Sequence, residues 1–120
     1  MSVASLELCK ALYVNSGWTD TALTHFQFHD GRETVEAKPV YGYLSAKGTP
    51  AYDLGYLLRK LPASTAIRKR DGAGAAHDYS AFAPVRSGLV ARDRTPEDAA
   101  AQLALKLLKL DALPKADAPV

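Results

Sequence analysis

TPAYDLGYLLRKLP, residues 49–62, is the stretch on which the reading of this chain turns. It spells a short helix with marked ends. Thr49 can accept a hydrogen bond from a free first-turn N–H, and Pro50 at the first helical position loses nothing by lacking its own. Pro62 stops the helix, because the residue before a proline is pushed out of the α region. Leu54, Leu57, Leu58 and Leu61 recur at i, i+3, i+4 and i+7 and make one apolar stripe. Tyr52, Gly55, Tyr56 and Arg59 fall together on a neighbouring stripe. A core needs no glycine flanked by two tyrosines and an arginine, whereas a binding surface has a use for each.

Upstream, Ser5 to about Ser16 reads as a first helix. Ser5 caps it, Glu7 sits in the positive first turn, and Gly17 follows as a left-handed stop. Leu8, Cys9, Leu12 and Ala11 form its inner side. Trp18 closes the core under the next loop, its indole N–H satisfied by a backbone carbonyl. Residues 22–29 alternate, with Phe26 and Phe28 on one face and His25, Gln27 and His29 on the other. Asp30-Gly31 is a hairpin turn signal, with a return strand through residues 34–37 that Pro39 breaks or places at an edge. Residues 40–44 are a further candidate strand.

Downstream, residues 64–70, 79–85 and 89–91 read as strands, and the small-residue run at 71–76 as a loop or hairpin tip. Thr95 caps a last helix that opens with Pro96, and Asp98 stands where a capping-box acid reaches back. Ala100, Leu103, Ala104, Leu107 and Leu108 are its core face. Leu105 and Leu110 widen the apolar surface, which suits a second packing partner such as another subunit. The expected fold is α+β: one domain over residues 1–114, three helices around a mostly antiparallel sheet, with a disordered tail at 115–120.

The 120 residues supply one domain with a core of its own. No apolar run reaches the length of a membrane span, and the N-terminus lacks the basic-then-apolar pattern of a signal peptide, so the expected setting is cytoplasmic. A single cysteine, Cys9, rules out an intramolecular disulfide and a cysteine-based zinc site. A net charge of +2 is nearly balanced and does not mark a dedicated nucleic-acid binder. The cations are unevenly placed, however: Arg59, Lys60, Arg68, Lys69, Arg70, Arg86, Arg92 and Arg94 all fall between positions 59 and 94. A local positive surface there suits phosphate groups.

Catalytic patterns are lacking. The run at 71–76 has neither the spacing of a dinucleotide fingerprint nor the Gly-Lys-Ser/Thr of a P-loop. No serine sits in a nucleophile elbow. On a strand, His25 and His29 are ~13 Å apart and cannot chelate one ion. The expectation is therefore a protein that is not an enzyme and holds no metal or cofactor. The residues chosen for ligand binding are Tyr52 and Tyr56 for stacking on a base, Arg59, Arg68 and Arg70 for phosphates through forked hydrogen bonds, and His25 and Gln27 for a base edge or ribose hydroxyl.

Three segments, SLELCKALYVNSGW, TPAYDLGYLLRKLP and TPEDAAAQLALKLLK, together resemble a widespread group of small proteins encoded by phages and prophages. The likeness covers both ends and the centre, and is loose between Thr19 and Lys47 and between Ser64 and Asp93. Within such proteins it points to the phage nucleotide sponges, which sequester a cyclic nucleotide and so blind a host defence such as CBASS. The resemblance implies binding without turnover in the host cytoplasm, by a homo-oligomer with pockets at or near subunit interfaces. It carries over no ligand residues. Two other classes stay open: an inhibitor or adaptor of a host protein, using the Leu105/Leu110 side of the last helix or a strand edge near Pro39, and a small nucleic-acid module using Arg68-Lys69-Arg70.

Overall fold

The computed structural model describes residues 2–37, 46–69, 79–83 and 89–115. Chain order is α1 (Leu6–Ser16), β1 (Leu23–Phe28), β2 (Glu33–Glu36), β3 (Ala46–Ala51), α2 (Leu54–Lys60), β4 (Ala66–Lys69), β5 (Tyr79–Phe82), β6 (Val90–Asp93) and α3 (Pro96–Lys109). The class is α+β, as expected, with one difference in layout. The described strands form two three-stranded antiparallel sheets, β2-β1-β3 and β4-β5-β6, in place of one. The candidate strand at 40–44, Pro39, the loop at 71–76, Arg70, Arg86 and the tail beyond Lys115 lie outside the described residues.

The helix ends follow local chemistry. The Ser5 hydroxyl accepts from the Leu8 N–H at the start of α1, and Gly17 ends the helix in the left-handed region at φ 70°. Thr95 Oγ1 accepts from the Asp98 N–H, with Pro96 at the first helical turn. The Asp98 carboxylate does not close this cap. It accepts instead from the Ser5 N–H, at 2.7 Å.

The start of α2 corrects the sequence reading. Thr49 and Pro50 belong to strand β3, opposite His25 and Thr24 of β1, and the helix is capped by Asp53, whose Oδ1 accepts from the Tyr56 N–H at 2.7 Å. Pairing with β1 holds residues 46–51 extended, so a helix can begin only past them. Pro50 is tolerated because β3 lies at the edge of its three-stranded sheet. The apolar stripe of α2 is also narrower than its spacing implies: Leu57 and Leu61 are buried, while Leu58 is 40% exposed.

The β1–β2 hairpin turns through His29, Asp30 and Gly31. Phe28 and Arg32 are bonded across its base, and Asp30 Oδ1 accepts from the Arg32 N–H. Gly31 supplies the positive φ, 89°, that a three-residue loop requires.

Helix α3 is the centre of the core. Ala99, Ala100, Ala101, Leu103, Ala104, Leu105, Leu107 and Leu108 are all buried. An apolar stripe on one face does not account for this. The helix is covered by α1, by α2 and by the β4-β5-β6 sheet, and small alanines let those neighbours approach. Leu105, expected to face a second partner, is therefore inside the chain itself, and only Leu110, the C-cap, stands out at 55% exposure. Each buried leucine contributes about 1.5–3 kcal/mol. The other sheet joins this core through β3, which packs on α1, and through the Ala4 N–H to Tyr52 carbonyl bond of 2.9 Å. No helix among the described residues is long and apolar enough to cross a membrane.

Candidate functional site

Tyr52 between β3 and α2, Tyr56 in the first turn of α2 and Trp18 in the loop after α1 build an aromatic cluster. Trp18 meets Tyr52 and Tyr56 edge to face at 6.4 and 6.3 Å, and the two tyrosines stack at 5.2 Å. Contacts of this kind contribute about 0.5–1.5 kcal/mol each beyond area burial. The cluster is core. Tyr52 is 0% and Tyr56 3% exposed, so neither ring offers a face to a base, and their assignment as stacking platforms is corrected. Helical spacing could not separate a core face from a wet one here, because α2 is flanked on one side by Trp18 and on the other by α3.

The polar tips of these rings are satisfied in different ways. The Tyr52 hydroxyl donates to the Trp18 carbonyl at 2.7 Å. The Trp18 indole N–H donates to the Pro114 carbonyl at 3.1 Å, the backbone partner its sequence context calls for. The Tyr56 hydroxyl donates to Asp20. Burial raises the pKa of both phenols, and for Tyr56 the neighbouring Asp20 carboxylate adds to the rise. Asp20 moves the opposite way. The Tyr56 hydroxyl, then the Lys60 ammonium at 3.3 Å, hold its carboxyl below the usual carboxylate range.

Above this cluster lies a cleft of about 340 Å³, formed by the α1–β1 loop, the C-terminal end of α2 and the segment that follows α3. Trp18, Thr19 and Pro114 are part of its lining. Among the described residues its lining carries three cations, Arg59, Lys60 and Lys115, and one acid, Asp20. Lys60 is fixed, with its ammonium 5.4 Å from the Trp18 ring and 5.3 Å from the Tyr56 ring. Arg59 lies over Tyr56 at 5.8 Å, and no described acid pairs with it. Lys115 makes an exposed contact with Asp111 at 3.3 Å, which contributes little and yields readily to a competing anion.

Of the described residues chosen from sequence, only Arg59 reaches this cleft. Arg68 is exposed on β4 with its guanidinium 5.8 Å from the Phe82 ring, outside the cleft lining. Arg70 lies outside the described residues. His25 is 8% exposed, and its Nε2 lies 3.1 Å from the Ala4 carbonyl, so it joins β1 to the segment before α1 and presents no edge to a ligand. Gln27 is half-buried on the same strand. Sequence reasoning missed Asp20, Lys60 and Lys115 as one group. Lys60 and Arg59 are adjacent in a helix, but their meeting with positions 20 and 115 depends on how the chain returns. Among the described residues no group of acids, histidines or cysteine is placed to hold a metal ion.

No family model, no curated protein and no solved structure matches the chain.

Proposed function

We propose that this chain is a non-catalytic protein that captures a small phosphate-bearing molecule in the Arg59/Lys60/Lys115 cleft. The molecule is a cyclic nucleotide signal, sequestered without turnover in the host cytoplasm as an anti-defence measure. The observation that carries the reading is the cleft itself: three cations among the described residues around one concavity, in a chain whose overall charge is nearly balanced. The likeness of residues 5–18, 49–62 and 95–109 to phage-encoded proteins adds the ligand class. At about 340 Å³ the cleft is at the small end of the range for small-molecule sites and has room for one nucleotide unit. A cyclic di- or trinucleotide would engage clefts on neighbouring copies, which is why the reading includes a homo-oligomer.

Native mass spectrometry against a panel of cyclic mono-, di- and trinucleotides tests it. The expected result is an adduct of unchanged ligand mass, weakened by about tenfold or more in Arg59→Ala and Lys60→Ala, the size of a lost charge-assisted hydrogen bond. A clean spectrum with no adduct across the panel would sink the reading.

A second reading, an adaptor that docks on a host protein, is favoured by two apolar side chains left open. Val14 on α1 is 83% exposed and Leu110 at the end of α3 is 55% exposed. Pull-down of one host protein that is lost in a Val14→Lys, Leu110→Lys double variant would support it, and pull-down unaffected by that variant would not.

A further inference from the structure

Asp20 is out of place in an anion site. It is the one acid among the described residues lining the cleft, its side chain is 68% exposed, and one of its oxygens lies 3.3 Å from the Lys60 ammonium. A structural role explains only part of it. The buried Tyr56 hydroxyl needs an acceptor, and one Asp20 oxygen supplies it, while the other lies 3.3 Å from the Lys60 ammonium. A backbone carbonyl would satisfy the phenol without placing a negative charge beside three cations, as the Trp18 carbonyl does for Tyr52.

The consequence for a ligand follows from charge and valence. A bare phosphate seated on Lys60 would stand beside the Asp20 carboxylate, and like charges that close repel. An ionised carboxylate is an acceptor only, so it asks the ligand for a donor. A ribose hydroxyl next to a phosphodiester meets both demands, with its O–H toward Asp20 and the phosphate oxygens toward Lys60 and Arg59. Resting on the binding role proposed above, we infer that Asp20 is a specificity-determining residue: it accepts the ribose hydroxyl vicinal to the bound phosphate, so that the cleft takes ribonucleotides in preference to deoxyribonucleotides or bare phosphate.

The test is calorimetric titration of the full chain with three probes: 3′,5′-cyclic di-AMP, its 2′-deoxy counterpart and inorganic pyrophosphate. Wild type is expected to bind the ribonucleotide about tenfold more tightly than the deoxy form, a modest ratio for a hydroxyl-reading site because Asp20 is open to water. Asp20→Asn is expected to bring the two nucleotides within about twofold and to strengthen pyrophosphate, since it removes the charge and keeps the shape. Equal wild-type affinity for ribo and deoxy forms, with binding still weakened by Lys60→Ala, overturns the role of Asp20 and leaves the cleft standing. Failure of all three probes, or binding indifferent to Lys60→Ala, overturns the cleft and the inference together. The wild-type ratio needs no variant, so an unstable Asp20→Asn protein would not rescue the idea.

Discussion

Asp98 Oδ1 accepts a hydrogen bond from the Ser5 N–H at 2.7 Å, joining the start of the first helix to the start of the last across 93 positions. A capping box normally draws its acid from the third residue of the same helix. In α1 that position is Leu8, which packs against the core, and the acid comes from α3 instead. One carboxylate thus sits at two positive helix ends. Asp98→Ala is expected to cost about 1–2 kcal/mol, against about 1 kcal/mol for Thr95→Ala, which removes only the local cap. Urea unfolding measures both. An Asp98→Ala midpoint equal to wild type would show that the contact contributes nothing.

Tyr56→Phe isolates the bond between the aromatic cluster and Asp20. At neutral pH the loss is about 1 kcal/mol, small because the carboxylate is largely solvated and screened. The pH dependence has a definite sign. The folded-state pKa of Asp20 is lowered, so its contribution is present above the unfolded-state value of about 3.9 and is lost as pH falls through the folded value. In Tyr56→Phe the largest cause of the lowering is gone, and stability should fall less between pH 5 and pH 2. Parallel acid-side losses in the two proteins would contradict this.

Gly55→Ala should stabilise the chain by about 0.5–1 kcal/mol. Gly55 is an exposed first-turn residue of α2, and an added Cβ would meet Asp53 Oδ1 at 3.6 Å and Arg59 Nη1 at 3.9 Å, ordinary contact distances. A thermal melt is sufficient. A lower midpoint would mean that the backbone at position 55 needs the freedom of glycine.

Cys9 should not react with a thiol reagent at pH 8 in the native protein, and should react fully in urea. Its side chain is 0% exposed, with Sγ 3.4 Å from the Ala4 carbonyl, and burial raises the thiol to about 11. Rapid labelling without denaturant would show that α1 opens on the timescale of the assay.

Local signals were legible in the sequence wherever one or two residues decide the outcome. Ser5, Gly17, Thr95 and Pro96 set the ends of α1 and the start of α3, and Gly31 the hairpin, because caps and positive-φ turns draw on chemistry within a few positions. The indole partner of Trp18 was legible in kind, a backbone carbonyl, though not in identity, Pro114. Where two local rules competed, the sequence misled. Thr49-Pro50 has the form of a helix start and Asp53 is an equally good cap, and pairing with a strand more than twenty positions upstream chose between them.

The sequence by itself determined the three helices, the hairpin and the α+β class, since these rest on periodicity and on residues with restricted backbones. Only the tertiary structure decided which faces are wet. Tyr52, Tyr56 and Leu105 looked like surface and are core, because burial depends on what returns to cover a face, and a face carries no mark of its future neighbour. The cleft belongs to the same class of fact. Asp20, Arg59, Lys60 and Lys115 come from three separate parts of the chain, and only the packing of α1 and α2 on α3 brings their charges around one space.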